Sequence, residues 1–176
     1  MKEANPRPAG THLLSIILAH ALPVLLLFAL LCCAHVARAA AWHGLEPLKS
    51  RRADVERELG KPVSAAPSES GALHFKVAGG LVTVTFVSAK FVATKKLAPE
   101  YEGTVLEIVL QHDNAQDTPD SLGLTKNSDF DHDGSGAVDV YRNLKDGVFY
   151  TFINGHLRTT RYAPAAEQLL HAQIKG

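Results

Sequence analysis

The chain has 176 residues, 46% of them hydrophobic, and its 18 basic and 18 acidic side chains cancel to a formal charge of zero. That balance excludes nucleic acid as the main partner, because binding phosphate backbones needs lysines and arginines gathered on one face. "TKK" at 94–96 and the pair Arg158 and Arg161 are too sparse to make one.

The first forty residues read as an export signal. Lys2 and Arg7 give a short, net-positive start, and an apolar run follows from Leu13 to Ala34. "HVARAAA" then places Ala37 and Ala39 at the −3 and −1 positions of an A-x-A cleavage site. Residues 1–39 are expected to be a signal peptide cut after Ala39, which makes the mature protein periplasmic or secreted. The run is close to the roughly 20 residues that a spanning helix needs. An uncleaved anchor is therefore the competing outcome, and the one expected contact with a membrane; His20 and Pro23 within the run favour cleavage. Cys32 and Cys33 follow Leu31 and Cys32, bulky residues where lipoprotein processing wants a small one.

A cut after Ala39 leaves 137 residues with 15 basic and 17 acidic side chains, a formal charge of −2. Both cysteines leave with the signal. The mature chain then has no disulfide, thiol nucleophile or thiolate metal site. Its length suits one domain, 40–176, with halves at roughly 40–111 and 112–176.

"LKSRRADVERELGKP" predicts a helix with Ser50 as its cap and Ala53, Val55 and Leu59 as its apolar stripe. Arg52 and Glu56 pair at i,i+4, Gly60 can take the left-handed end position, and Pro62 forbids continuation. "SAAPSESG" is a loop. From Leu73 the period becomes two: "LHFKV" and "LVTVTFV" flank the turn "AGG" as a hairpin over 73–87. The stretch 92–103 reads as an irregular loop. "TVLEIVL" at 104–110 is a third strand with Leu106, Ile108 and Leu110 inward.

"TPDSLGLTKNSDF" predicts a short helix capped at Thr118 or Asp120. Three strands follow, "AVDVYRN", "GVFYTFIN" and "HLRTTRYA", with Asn154-Gly155 as a strong hairpin signal between the last two. "AAEQLLHAQ" can form a closing helix. The sum is an α+β domain, mainly an antiparallel sheet with two short helices on one face. It has the possible arrangement of two helix-plus-three-strand halves.

The helix and its L-G-x-P ending resemble the opening of SmpA/OmlA (BamE)-like and β-lactamase-inhibitor-like domains over about fifteen residues. The mature chain, from "AWHGLEPLKSRRADVERELGKP" through "YRNLKDGVFY" to "YAP", also resembles an uncharacterised family of secreted bacterial proteins. That second likeness implies no activity and no site residues.

"DFDHDGSGAVDVYR" at 129–142 resembles an EF-hand calcium loop. Counting from Asp131, Asp133 stands at position 3, Ser135 at 5, Gly136 at 6, the Ala137 carbonyl at 7 and Asp139 at 9. Calcium needs several oxygens at about 2.3–2.6 Å, and the glycine permits the turn that gathers them. Position 12, a bidentate carboxylate in that family, is Arg142 here, and strands rather than a helix follow. The expected site is therefore weak and helix-free, using Asp131, Asp133, Ser135 and Asp139 with Asp129 as an extra ligand. The alternative is a hairpin entry in which D-G and S-G simply turn the chain.

No histidine pair in the mature chain has zinc-site spacing, and no nucleophile elbow, phosphate loop or dinucleotide fingerprint occurs. His112-Asp113 could be half of an acid–base pair. Trp42, near the mature N-terminus, could plug the core edge or anchor a partner. These observations favour an exported, non-enzymatic binding protein with an unidentified protein partner in the envelope or outside the cell. No cofactor is expected except possible calcium at 129–139. The alternatives are a weak calcium-binding module and a hydrolase with an unrecognised site.

Overall fold

The computed structural model describes residues 40–63 and 71–174. The expected signal peptide, 1–39, and nearly all of the loop expected at 64–71 lie outside them. Among the described residues no helix is long and apolar enough to cross a membrane.

The fold is α+β and mainly sheet. Strands β1 (Leu73–Val77), β2 (Gly80–Phe86) and β3 (Val105–His112) form one meander. Strands β4 (Asp131–Ser135), β5 (Val138–Asn143), β6 (Val148–Ile153) and β7 (His156–Tyr162) form a second. All pair antiparallel in one sheet of order β1-β2-β3-β7-β6-β5-β4, so β3 lies against β7 and the meanders share a single surface. The described α-helices are α1 (Arg52–Leu59), α2 (Ala89–Lys95) and α3 (Ala166–Ala172).

The period-two strands bury one face as their pattern demands. Leu73, Phe75, Val82, Val84, Val105 and Ile108 form a closed core with Val55 of α1 and with Leu45. A second cluster joins Val87, Leu97 and Ala172 to Phe91 and Val92 of α2 and Leu169 of α3. A third gathers Leu124, Tyr141, Phe152 and Leu157 over the second meander. Helix α1 thus packs into the first cluster, and α2 and α3 into the second.

Several sequence expectations need correction. Helix α1 starts one residue later than expected: Arg51 is its cap, and its N–H donates to Asp54 Oδ2 at 2.9 Å. Ser50 is buried, and its hydroxyl accepts from the Glu46 N–H at 2.9 Å, tying the preceding turn instead. The supposed loop at 92–103 contains the end of α2, which Ser88 caps by accepting from the Phe91 N–H, and a 3-10 turn at Pro99–Tyr101. The helix expected in 118–130 shrinks to a 3-10 turn at Leu124–Lys126, because Gly123 takes a positive φ of 68° in the middle of it. Leu106 leaves the inward set: a bulge opposite Thr85 and Phe86 puts Val105 in the first core and Leu106 in the second. The second half has four strands rather than three, since Asp131–Ser135 pairs with β5.

Candidate functional site

The candidate calcium residues stand on a hairpin, and the hairpin separates them. Gly136 takes a positive φ of 61° between Ser135 and Val138, as a two-residue turn with a leading glycine requires. Cross-strand partners share a face, so Asp131 and Asp133 lie with Arg142 and Val140 on one side of the ladder. Asp139, opposite Gly134, lies on the other side with His132 and Tyr141. Asp133 pairs with Arg142 at 3.0 Å, and Asp139 with His132 at 2.9 Å. Ser135 closes the hairpin against Val138, and Asp129 precedes the strand, its own N–H donating to Asn127 Oδ1. Among the described residues no three His, Asp, Glu or Cys side chains converge as a metal ion would need. With Asp139 on the face opposite Asp131 and Asp133, millimolar calcium is expected to leave the melting temperature where equal magnesium leaves it; a rise specific to calcium would instead support the site expected at 129–139.

His132 also stacks on Tyr141, ring centroids 4.5 Å apart, beside a shallow cavity that Ser128 and Lys126 help to line. Its partner Asp139 orients it, but among the described residues no hydroxyl bonds to it.

A better-formed cavity opens at the other end of the sheet, with a volume of about 430 Å³. Its floor is apolar: Trp42, Leu59, Val77 and Leu110 are half-buried and pack against the first core. Its frame comes from local backbone chemistry. Trp42 and Leu45 exchange N–H···O bonds of 3.0 and 2.9 Å across His43-Gly44. Both central residues take positive φ, 51° and 75°, as in the primed hairpin turns. Leu45 is buried in the core and fixes one arm of this turn, so Trp42 on the other arm is held over the pocket. Holding a non-glycine residue there costs on the order of 1 kcal/mol, and it aims His43 at Glu58, 3.5 Å away.

Gly80, at the start of β2, forms part of the far wall. A Cβ on it would stand 1.9 Å from the Gln111 carbonyl oxygen, so the close approach of β2 and β3 requires glycine.

His112 ends β3 at the pocket margin. Its Nε2 and the Thr160 hydroxyl lie 3.0 Å apart, and Thr160 is buried. Asp113 is exposed beyond it. Burial holds the imidazole below its ordinary pKa of 6.5, against an opposing pull from Asp117. The unfolded chain then takes up a proton near pH 6.5 that the folded chain resists. The stability this group contributes is whole above 6.5 and is lost as pH falls through the lower folded value. Melting temperatures from pH 7.5 to 5.5 should fall more steeply for the wild type than for His112→Gln; parallel curves would refute this assignment.

Sequence reasoning had marked Trp42 and His112 separately. It missed Glu58, Leu59, Val77, Gly79 and Leu110 as their companions. The signal within reach was His43-Gly44, a dipeptide suited to two positive φ values between two apolar residues.

No family model matches this chain. No curated protein matches it. Among solved structures, a DUF4309 family protein (YjgB) from Bacillus subtilis is similar, with 12% identity and a TM-score of 0.46. The match covers 72% of this chain and 87% of that one. At that level the likeness carries no argument about fold or function.

Proposed function

We propose that the protein is an exported, non-enzymatic binding module, periplasmic or secreted, whose ligand seats in the pocket between Trp42 and His112. The observation that carries this reading is a cavity with an apolar floor and a polar rim, bordered by a strained, doubly hydrogen-bonded turn. Its volume falls within the range of about 300–1,000 Å³ common for small-molecule sites. Export is supported by the charged start, apolar run and A-R-A of residues 1–39.

Chemistry at the same place has less support. Among the described residues, the one hydroxyl hydrogen-bonded to His112 belongs to Thr160, which is buried. No serine, threonine or cysteine is among the residues lining the pocket.

Trp42 is the sole tryptophan of the sequence, so its indole N–H gives a single, unambiguous cross-peak in a ¹H–¹⁵N spectrum. Titrating the purified, labelled protein with 2-phenylethanol, an uncharged apolar probe, should shift that peak and those of Val77–Leu81 and Gln111–His112 together and saturably. Shifts absent there, or scattered over the whole sheet, would sink the reading.

A further inference from the structure

Among the described residues, one carboxylate at the pocket mouth makes no ion pair with a lysine or arginine. Glu58, in the last turn of α1, is the only Asp, Glu, Lys or Arg among the residues that line the cavity. Its partner among the described residues is His43 Nδ1, at 3.5 Å. Its helix neighbours are matched differently: Glu56 holds Arg52 and Asp54 holds Arg57, each at 2.7 Å. The helix thus neutralises its outward carboxylates with guanidinium groups and leaves the pocket-side one without such a partner.

Below Glu58 lies the apolar floor. It includes the Trp42 ring, whose face attracts cations through its quadrupole. A cation with an apolar body would gain on both counts: its head meets Glu58 and the indole, and its body leaves water against Leu59, Val77 and Leu110. An anionic head would meet Glu58 and no opposing positive side chain. His112 adds a hydrogen-bonding atom at the margin, since its Nδ1 has no partner among the described residues.

We propose that this pocket is a site for a small organic monocation, an ammonium head set against Glu58 and Trp42 with an aromatic or branched apolar body on the floor. The proposal rests on the reading of the pocket as a ligand site and adds the ligand's charge. Size limits the occupant to a compact molecule, because the cavity is about 430 Å³.

Three probes of one shape separate the terms: 2-phenylethylammonium, 2-phenylethanol and phenylacetate, each followed by the Trp42 indole peak. In low salt the ammonium should bind about threefold more tightly than the alcohol, the scale of one solvent-exposed ion pair, and phenylacetate most weakly. Glu58→Gln should bring the three affinities together. Molar sodium chloride should do the same by screening. Glu56→Gln, which removes the partner of Arg52 elsewhere on the helix, should leave the ranking intact. Equal binding of the three probes, or a ranking that survives Glu58→Gln, overturns the cation assignment while the pocket stands. No movement of the Trp42 peak with any probe overturns both the assignment and the binding-module reading.

Discussion

Replacing Gly80 with alanine is expected to cost on the order of 3 kcal/mol or more, while the same change at Gly79 costs about 1 kcal/mol. The two glycines adjoin one another but are needed for different reasons. Gly79 takes a φ of 84° with open space around it, so a methyl group there meets only the intrinsic penalty of the left-handed region. Gly80 has an ordinary φ, yet its new Cβ would lie 1.9 Å from the Gln111 carbonyl oxygen and 3.0 Å from its carbon. Those are backbone atoms of β3 and cannot rotate away, so β2 must shift and break its register with Gln111 and His112. For a domain of this size the loss corresponds to roughly 10 °C or more in melting temperature. Thermal unfolding followed by circular dichroism decides it. Equal losses at the two positions, or a larger one at Gly79, would refute the close-approach explanation. Because Gly80 also walls the pocket, the variant should lose the Trp42 response to 2-phenylethanol even at temperatures where it remains folded.

Phe152→Ala should be comparably damaging, at about 3–5 kcal/mol. Phe152 is fully buried and meets Tyr141 edge to face, with centroids 5.8 Å apart. It anchors the cluster that also holds Leu124 and Leu157, the one described cluster over the second meander. No backbone adjustment confined to β6 can refill the space, since the strand is fixed between β5 and β7. The neighbouring Ile153 is 38% exposed, and its replacement by alanine should cost under about 1 kcal/mol. Urea unfolding at equilibrium measures both. A Phe152→Ala variant within 1 kcal/mol of wild type would show that this cluster is not a core.

What was legible in the sequence divides by mechanism. The hairpin over 73–87 and the strands from 138 onward could be read because their apolar residues alternate and their turns carry glycine at the needed positions; Asn154-Gly155 takes φ values of 53° and 75°. Strand β4 could not be read. "DHDGS" contains no apolar residue, is exposed throughout, and exists as a strand because β5 offers it a ladder. Tertiary pairing overrode local propensity there, and its charge protects an edge that would otherwise invite pairing with other chains. The EF-hand likeness arose from the hairpin this strand opens: Gly136, placed to bend a calcium loop, closes the turn instead, and the pleat puts Asp131 and Asp133 on one face and Asp139 on the other. Helix α2 escaped because "AKFVATK" is short, and its stop at Lys96, φ 54°, is made by a residue rarely found in that conformation. The pocket was illegible as a whole. Its parts come from the 42–45 turn, the end of α1 and the ends of three strands, which only the assembled sheet brings together.

The order of the strands has a consequence for how the molecule forms. Within each meander every ladder joins strands adjacent in sequence: β1–β2 and the three ladders of the second meander close through short turns, and β2–β3 closes across the 87–104 segment that carries α2. The ladder between β3 and β7 is different: its four Cα pairs, from Ile108–Tyr162 to Gln111–Thr159, unite segments far apart along the chain. The His112–Thr160 bond spans 48 residues. Closing so long a loop is opposed by chain entropy before any contact compensates. The two meanders are thus expected to act as separate folding units that dock along β3 and β7. Cooperativity of the whole domain then resides in that seam, and His112 stands at its end.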